Sequence, residues 1–144
     1  ITGWPGGKPD ADDANRPERA APARKRCLIF SPHPDDDIIS MGGTFQRLVD
    51  QGHEVHVAYQ TSGNIAVADD EALRFADFVV DFNEKFGITS PQADKVFKDA
   101  AKFLRTKKDS EKDTDAVRHV KGLIRKGEAK NTCRFVGIPL ENAH

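Results

Sequence analysis

Residues 26–59 carry two short apolar runs, "RCLIFS" and "HEVHVAYQ", on either side of a single helical period, and that order admits few folds. The first run is continuously apolar, as expected of a strand buried on both faces of a parallel sheet. Between the runs, Ile38, Met41, Phe45 and Leu48 recur at three- and four-residue spacing, the stripe of a helix that buries one side. Gly52 stands where a helix of that length ends, at the position that favours a left-handed residue. In the second run Val55, Val57 and Tyr59 alternate onto one face. Strand, helix and strand with short connections form a βαβ unit, with parallel strands and a right-handed crossover. The expected class is therefore α/β, with a Rossmann-like parallel sheet.

The rest of the chain is organised around that unit. Residues 1–25, rich in Gly, Pro, Ala and charge, read as an extended linker or arm, and the start at Ile1 without a methionine suggests processing or a piece of a longer protein. After "TSGN" the pattern turns helical, with one stripe at Leu73, Ala76 and Val80 and another at Val96, Phe97, Ala100, Phe103 and Leu104. Pro91 suits the first turn of the second of these helices. "RTKKDSEKD" reads as a solvated connection. A third helix is expected from about Asp115 to Thr132, and "CRFVGIPL" reads as the start of another strand. Residues 26–144 are thus expected to be one domain, since 144 residues do not comfortably make two.

Composition excludes several function classes. Lys plus Arg number 22 against 23 Asp plus Glu, so no global charge recruits nucleic acid or anionic lipid. No apolar run approaches the length needed to span a bilayer, and the first residues lack a signal-peptide pattern. Cys27 and Cys133 do not make a disulfide framework; they read as reduced thiols in a cytoplasm-like compartment.

The chemistry concentrates in "SPHPDDD", residues 31–37, between the first strand and its helix. Ligands bind beyond the carboxyl ends of strands in an open parallel sheet. Helix N-terminal amides partly stabilise the carboxylates there, and an N-cap plus a turn would account for one or two of them. That reading leaves His33 unexplained. A metal site explains it: a neutral imidazole and a carboxylate at short spacing, with a divalent cation offsetting the crowded negative charge.

"PHPDDD" resembles the signature of the LmbE-like (PIG-L) family of metal-dependent N-deacetylases, His-Pro-Asp-Asp followed by Glu or Asp, and residues 26–64 follow the family's order of elements. "LIRKGEAKNTCRFVGI" is similar to the family's later Arg-x-x-Glu helix. The inserted helices between residues 69 and 112 look most similar to bacterial proteins in which this domain follows a glucosamine-6-phosphate deaminase-like domain. The resemblance implies that His33 and Asp36 are ligands for zinc or another divalent transition metal. It implies that Asp35 is the general base, taking a proton from a zinc-bound water and delivering it to the leaving amine. Asp37 then caps the helix or orients the site, or binds metal itself. Gly42 and Gly43 would allow close packing beneath the site or serve as ordinary packing glycines.

The loop Thr61–Asn64 should reach the same sheet edge, with Ser62 and Asn64 as substrate-binding candidates. Where the family often has Gly-Glu, this chain has Gly63-Asn64, which keeps a hydrogen-bonding group and loses a charge. Arg125 matches the family arginine and would meet a sugar hydroxyl or phosphate; its plainer role is an ion pair with Glu128.

Catalytic zinc usually has three protein ligands, and the family's third is a histidine in a later His-x-x-His. "HEVH" supplies that spacing at His53 and His56, but residues three apart on a strand point to opposite faces. His53 also begins its strand, about 20 Å from the carboxyl edge. His119 reads as structural and His144 has no context. The third ligand is therefore absent from these residues, and the chain is expected to be the N-terminal part of an incomplete LmbE-like domain, the alternative being a degenerate domain.

The resemblance implies a zinc-dependent amidase that deacetylates an N-acetylated amino sugar or sugar phosphate, such as an N-acetylglucosamine derivative. It would be joined to an upstream deaminase-like domain, with a homo-oligomer also in view and no nucleic-acid or membrane partner. The rival reading is a noncatalytic sugar-phosphate-binding or regulatory module. A magnesium site for phosphoryl transfer fits less well, because imidazole favours zinc-like metals.

Overall fold

The computed structural model describes residues 24–144, so the expected linker over residues 1–25 lies almost wholly outside the described residues. The strands β1 (Arg26–Ser31) and β2 (Glu54–Tyr59) pair in parallel, in a register running from Arg26↔Glu54 to Ser31↔Tyr59. Helix α1 (Asp36–Asp50) connects them, which gives the expected βαβ unit. Helices α2 (Asp69–Phe86), α3 (Pro91–Thr106) and α4 (Asp115–Val136) follow. The chain divides into two compact units, one reaching Ser62 and resuming at Glu128–His144, the other spanning Gly63–Gly127.

In the first unit, the core gathers on one face of the sheet. Ile29, Val55 and Val57 from the strands meet Phe45 and Leu48 of α1, with Cys133 and Val136 of α4 and Ile138 beyond it. Phe45 and Val57 are fully buried, and burying a phenylalanine side chain contributes about 1.5–3 kcal/mol. On the opposite face Leu28 and Phe30 stay exposed.

Two details of α1 depart from the helical stripe. Met41 has φ −146° and ψ 29°, a kink just ahead of Gly42 and Gly43, and helices kink at such small residues. The break turns Met41 out to an exposed position instead of the core. A side chain at Gly42 would come within 3.1 Å of Ile38 Cδ1, whereas one at Gly43 would meet nothing. The close packing expected of both glycines thus exists only at Gly42, within its own helix.

The end of α1 is as expected. Gly52 takes φ +74°, its N–H bonds Val49 O at 2.9 Å, and His53 N–H bonds Leu48 O at 3.1 Å. This paired pattern ends helices through a left-handed glycine.

"CRFVGIPL" does not begin a strand. α4 runs on through Val136, and the same device stops it at Gly137 (φ +83°), with Ile138 N–H bonding Cys133 O at 2.8 Å. Cys133 and Val136 are one helical turn apart and both buried, a short apolar pattern that suits helix and strand alike. The next strand position is reached later. Ala143 bridges Val57 in parallel, His144 N–H bonds Val57 O, and Tyr59 N–H bonds His144 O, both at 2.8 Å.

The second unit holds the expected inserted helices. Ala72 of α2, Ala100 and Leu104 of α3, and Val117, Val120 and Ile124 of α4 share a core with Val67. "RTKKDSEKD" is more than a solvated connection. Lys107 Nζ lies 2.8 Å from Asp69 Oδ2 and 2.6 Å from Asp113 Oδ1. Lys121 Nζ lies 2.5 Å from Asp69 Oδ1 and 2.8 Å from Asp113 Oδ2. Two lysines thus bridge the same two carboxylates. The hydrogen bonds from Lys107 and then Lys121 hold the Asp69 carboxyl below its ordinary value.

Candidate active site at the carboxyl end of β1

β1 ends on Ser31, which is fully buried, and the chain then turns through Pro32–Asp35 into α1. Ser31 fixes this turn. Its hydroxyl donates to His33 O at 2.6 Å and accepts from Asp37 N–H at 3.1 Å. Asp35 N–H bonds His33 O at 2.8 Å, and Asp35 O accepts from Ile39 N–H at 3.0 Å, so α1 starts directly on the motif.

The structure brings His33, Asp35 and Asp36 together in this turn. Asp36 Oδ2 accepts from His33 N–H at 2.9 Å and lies 2.9 Å from His33 Nδ1. Both side chains face solvent in part, at 57% and 36% of full exposure. Asp35 occupies the N-cap of α1, yet its carboxylate makes no capping bond.

Asp37 is not the cap either. It lies in the first turn of α1 and is 1% exposed. The Tyr59 hydroxyl, at the end of β2, donates to its Oδ2 at 3.0 Å. Burial first, then the bond with Cys133 and the nearby Asp37 charge, push the Tyr59 phenol well above its ordinary value. Burial likewise raises the Cys133 thiol. Sequence reasoning missed Tyr59 as a partner of the motif. The signal available was a polar aromatic ending an otherwise aliphatic alternation, in a position parallel to Ser31.

The loop after β2 does reach the motif. Gln60 N–H bonds Ser31 O at 3.0 Å and Thr61 Oγ1 donates to Pro32 O at 2.8 Å. Ser62 follows, exposed, in the same unit. Asn64 opens a short 3-10 turn, Asn64–Ala66, after Gly63 in the left-handed region, and belongs to the second unit. Arg125 is buried on α4, also in the second unit.

The histidines of "HEVH" separate as strand geometry requires. His53 is buried and its Nδ1 accepts from Lys25 N–H at 3.2 Å. His56 lies beyond, its Nε2 3.2 Å from Glu54 Oε1. His144 gains a context the sequence did not reveal: its ring stacks on His56 with centroids 5.4 Å apart, Nε2 3.1 Å from His56 Nδ1.

A tetrahedral zinc with bonds near 2.0 Å holds neighbouring donors about 3.3 Å apart. His33 Nδ1 and Asp36 Oδ2, at 2.9 Å, are close to that spacing, and a nitrogen–oxygen pair is a fitting donor set for zinc. Among the described residues no group of three or more His, Cys, Asp or Glu could hold a metal ion. The motif therefore fits two positions of a metal site.

Fold and loop together define an α/β chain of the kind that receives a polar ligand beyond the carboxyl ends of its parallel strands. Residues 28–144 match the PIG-L family model, described as GlcNAc-PI de-N-acetylase, and the chain belongs to that family. A putative glucosamine-6-phosphate deaminase-like protein of Bacteroides thetaiotaomicron is 55% identical over 145 residues, covering 100% of this chain and 22% of the relative. A diacetylchitobiose deacetylase of Thermococcus kodakarensis is 40% identical over 47 residues, 33% of this chain and 18% of the relative. The chain thus spans about a fifth of the curated relatives it matches. No solved structure gives a significant match.

Proposed function

We propose that this chain is part of a metal-dependent deacetylase acting on an N-acetylated amino sugar or its phosphate, within a larger protein that also carries a deaminase-like domain. The observation that carries this reading is the convergence of His33 Nδ1 and Asp36 Oδ2 beside Asp35, at the carboxyl end of β1. Family membership and the names of the two relatives support the substrate class. The free thiols of Cys27 and Cys133 suit a reducing, cytoplasm-like compartment.

In this reading His33 and Asp36 hold zinc or a similar divalent transition metal. When bound, the metal supplies Lewis acidity toward an amide carbonyl. Asp35, at the mouth of α1, takes a proton from the attacking water onto its carboxylate and returns it to the departing nitrogen. Ser62, in the same unit as the motif, binds the sugar or its phosphate, while Asn64 and Arg125 are candidates for that role by family resemblance alone.

The test is acetate release from N-acetylglucosamine derivatives by the full-length protein, with and without a chelator. Activity that survives metal removal, or that persists undiminished in Asp35→Asn, overturns the mechanism.

A further inference from the structure

Helix α2 carries an aromatic stripe that its own unit leaves uncovered. Phe75, Phe78, Phe82 and Phe86 are 39%, 60%, 42% and 66% exposed. Their spacing of three and four residues sets them in one row. Within that row the rings of Phe78 and Phe82 lie 5.9 Å apart, and those of Phe82 and Phe86 lie 4.7 Å apart. The core-facing side of α2 is occupied instead by Ala72 and Ala76. Singly scattered apolar residues are normal on a surface, whereas a continuous aromatic row marks an interaction site.

We propose that this stripe is a self-association surface and that its occupant is the α2 helix of a second copy, laid antiparallel across a two-fold axis. The charges choose the occupant. α2 is acidic in its first turn, including Glu71, and basic in its last, at Lys85. Glu71, Phe78 and Lys85 follow one another at seven-residue intervals, two helical turns each. A copy that sets its Phe78 against the first Phe78 therefore brings each Phe75 beside the other's Phe82, and each Glu71, which also pairs with Arg74 of its own helix, opposite the other's Lys85, with Phe86 beyond this overlap. A parallel copy would set like against like. An interface between identical copies must be self-complementary in this sense, and the stretch from Glu71 through Phe75, Phe78 and Phe82 to Lys85 is. Aromatic burial drives the association while the terminal charges fix its direction.

Site-directed cross-linking of the intact protein tests the geometry. Within one helix, residues 71 and 85 are about 21 Å apart, too far for a disulfide. An equimolar mixture of Glu71→Cys and Lys85→Cys, which keeps one Glu71–Lys85 pair at the far end of the mixed dimer, should form a covalent dimer under mild oxidation. Each single variant alone should give at least fivefold less. Phe78→Asp or Phe82→Asp, added to both single variants, should abolish the dimer while the far-ultraviolet circular dichroism stays unchanged. A mixture that cross-links no better than either single variant alone overturns the proposal. The same holds if dimer yield is indifferent to both aspartates in folded protein, which would mean another segment or partner covers the row.

Discussion

The hydroxyl of Tyr59 donates to Asp37 Oδ2 at 3.0 Å, tying the last residue of β2 to the first turn of α1. The carboxylate it serves is almost wholly enclosed, so the bond is expensive to leave unmade. Tyr59→Phe should lower the unfolding free energy by about 1–3 kcal/mol, the usual consequence of stranding a buried acceptor. Urea denaturation of the two proteins measures it, and a change within error would show that Ser31 alone satisfies Asp37.

Tyr59 is the one tyrosine of the chain, so its phenolate absorbance has no competitor. Its folded pKa lies above the unfolded value of about 10. A group of that sign contributes stability that is complete below the unfolded value and is lost as pH rises toward the folded one. Phenolate absorbance should therefore appear above its ordinary pH and together with loss of circular dichroism. Ionisation near the ordinary value in a folded chain would contradict the buried hydrogen bond.

Lys121 is 4% exposed and bonded to two carboxylates. Lys121→Met should destabilise the chain by about 2 kcal/mol, from the loss of charged hydrogen bonds. The Asp69 carboxyl is held low by Lys107 and Lys121. Its contribution is therefore present above the unfolded carboxyl value of about 3.9 and disappears as pH falls through the lower folded value. Stability profiles between pH 2 and 6 should show a shallower acid limb in the variant; superimposable limbs would refute the linkage.

Zinc titrations address the motif directly. If His33 Nδ1 and Asp36 Oδ2 share a metal, His33→Ala should weaken zinc binding by at least about tenfold, and His56→Ala should leave it unchanged. Calorimetry on the full-length protein distinguishes the two, and equal losses would move the site away from β1.

Much of this was legible in the sequence because the signals were local. The βαβ unit, the Gly52 helix stop and the His33–Asp36 turn each depend on residues within a few positions of one another. What escaped depends on distant partners. Cys133 and Val136 read as strand because an apolar pair cannot announce which surface will cover it. Lys107 and Asp113 read as solvated because their partners, Asp69 and Lys121, lie elsewhere in the chain. Asp37 read as a cap, an orienting group or a ligand because Tyr59, which reaches it, lies 22 residues on.

The bridge from Val57 to Ala143 gives β2 neighbours on both sides. Among the described residues, nothing pairs with the outer edge of β1. That edge is the place where a foreign strand could add, and it runs past the bare Leu28 and Phe30. Three exposed cations, Arg24, Lys25 and Arg26, stand at its entrance, and like charge at an edge discourages sheet-to-sheet growth. Such a guard is electrostatic and works only within a Debye length of about 8 Å at physiological salt. Raising the ionic strength should therefore unmask the edge, and light scattering should climb with salt, the opposite of what simple charge-driven clumping would give.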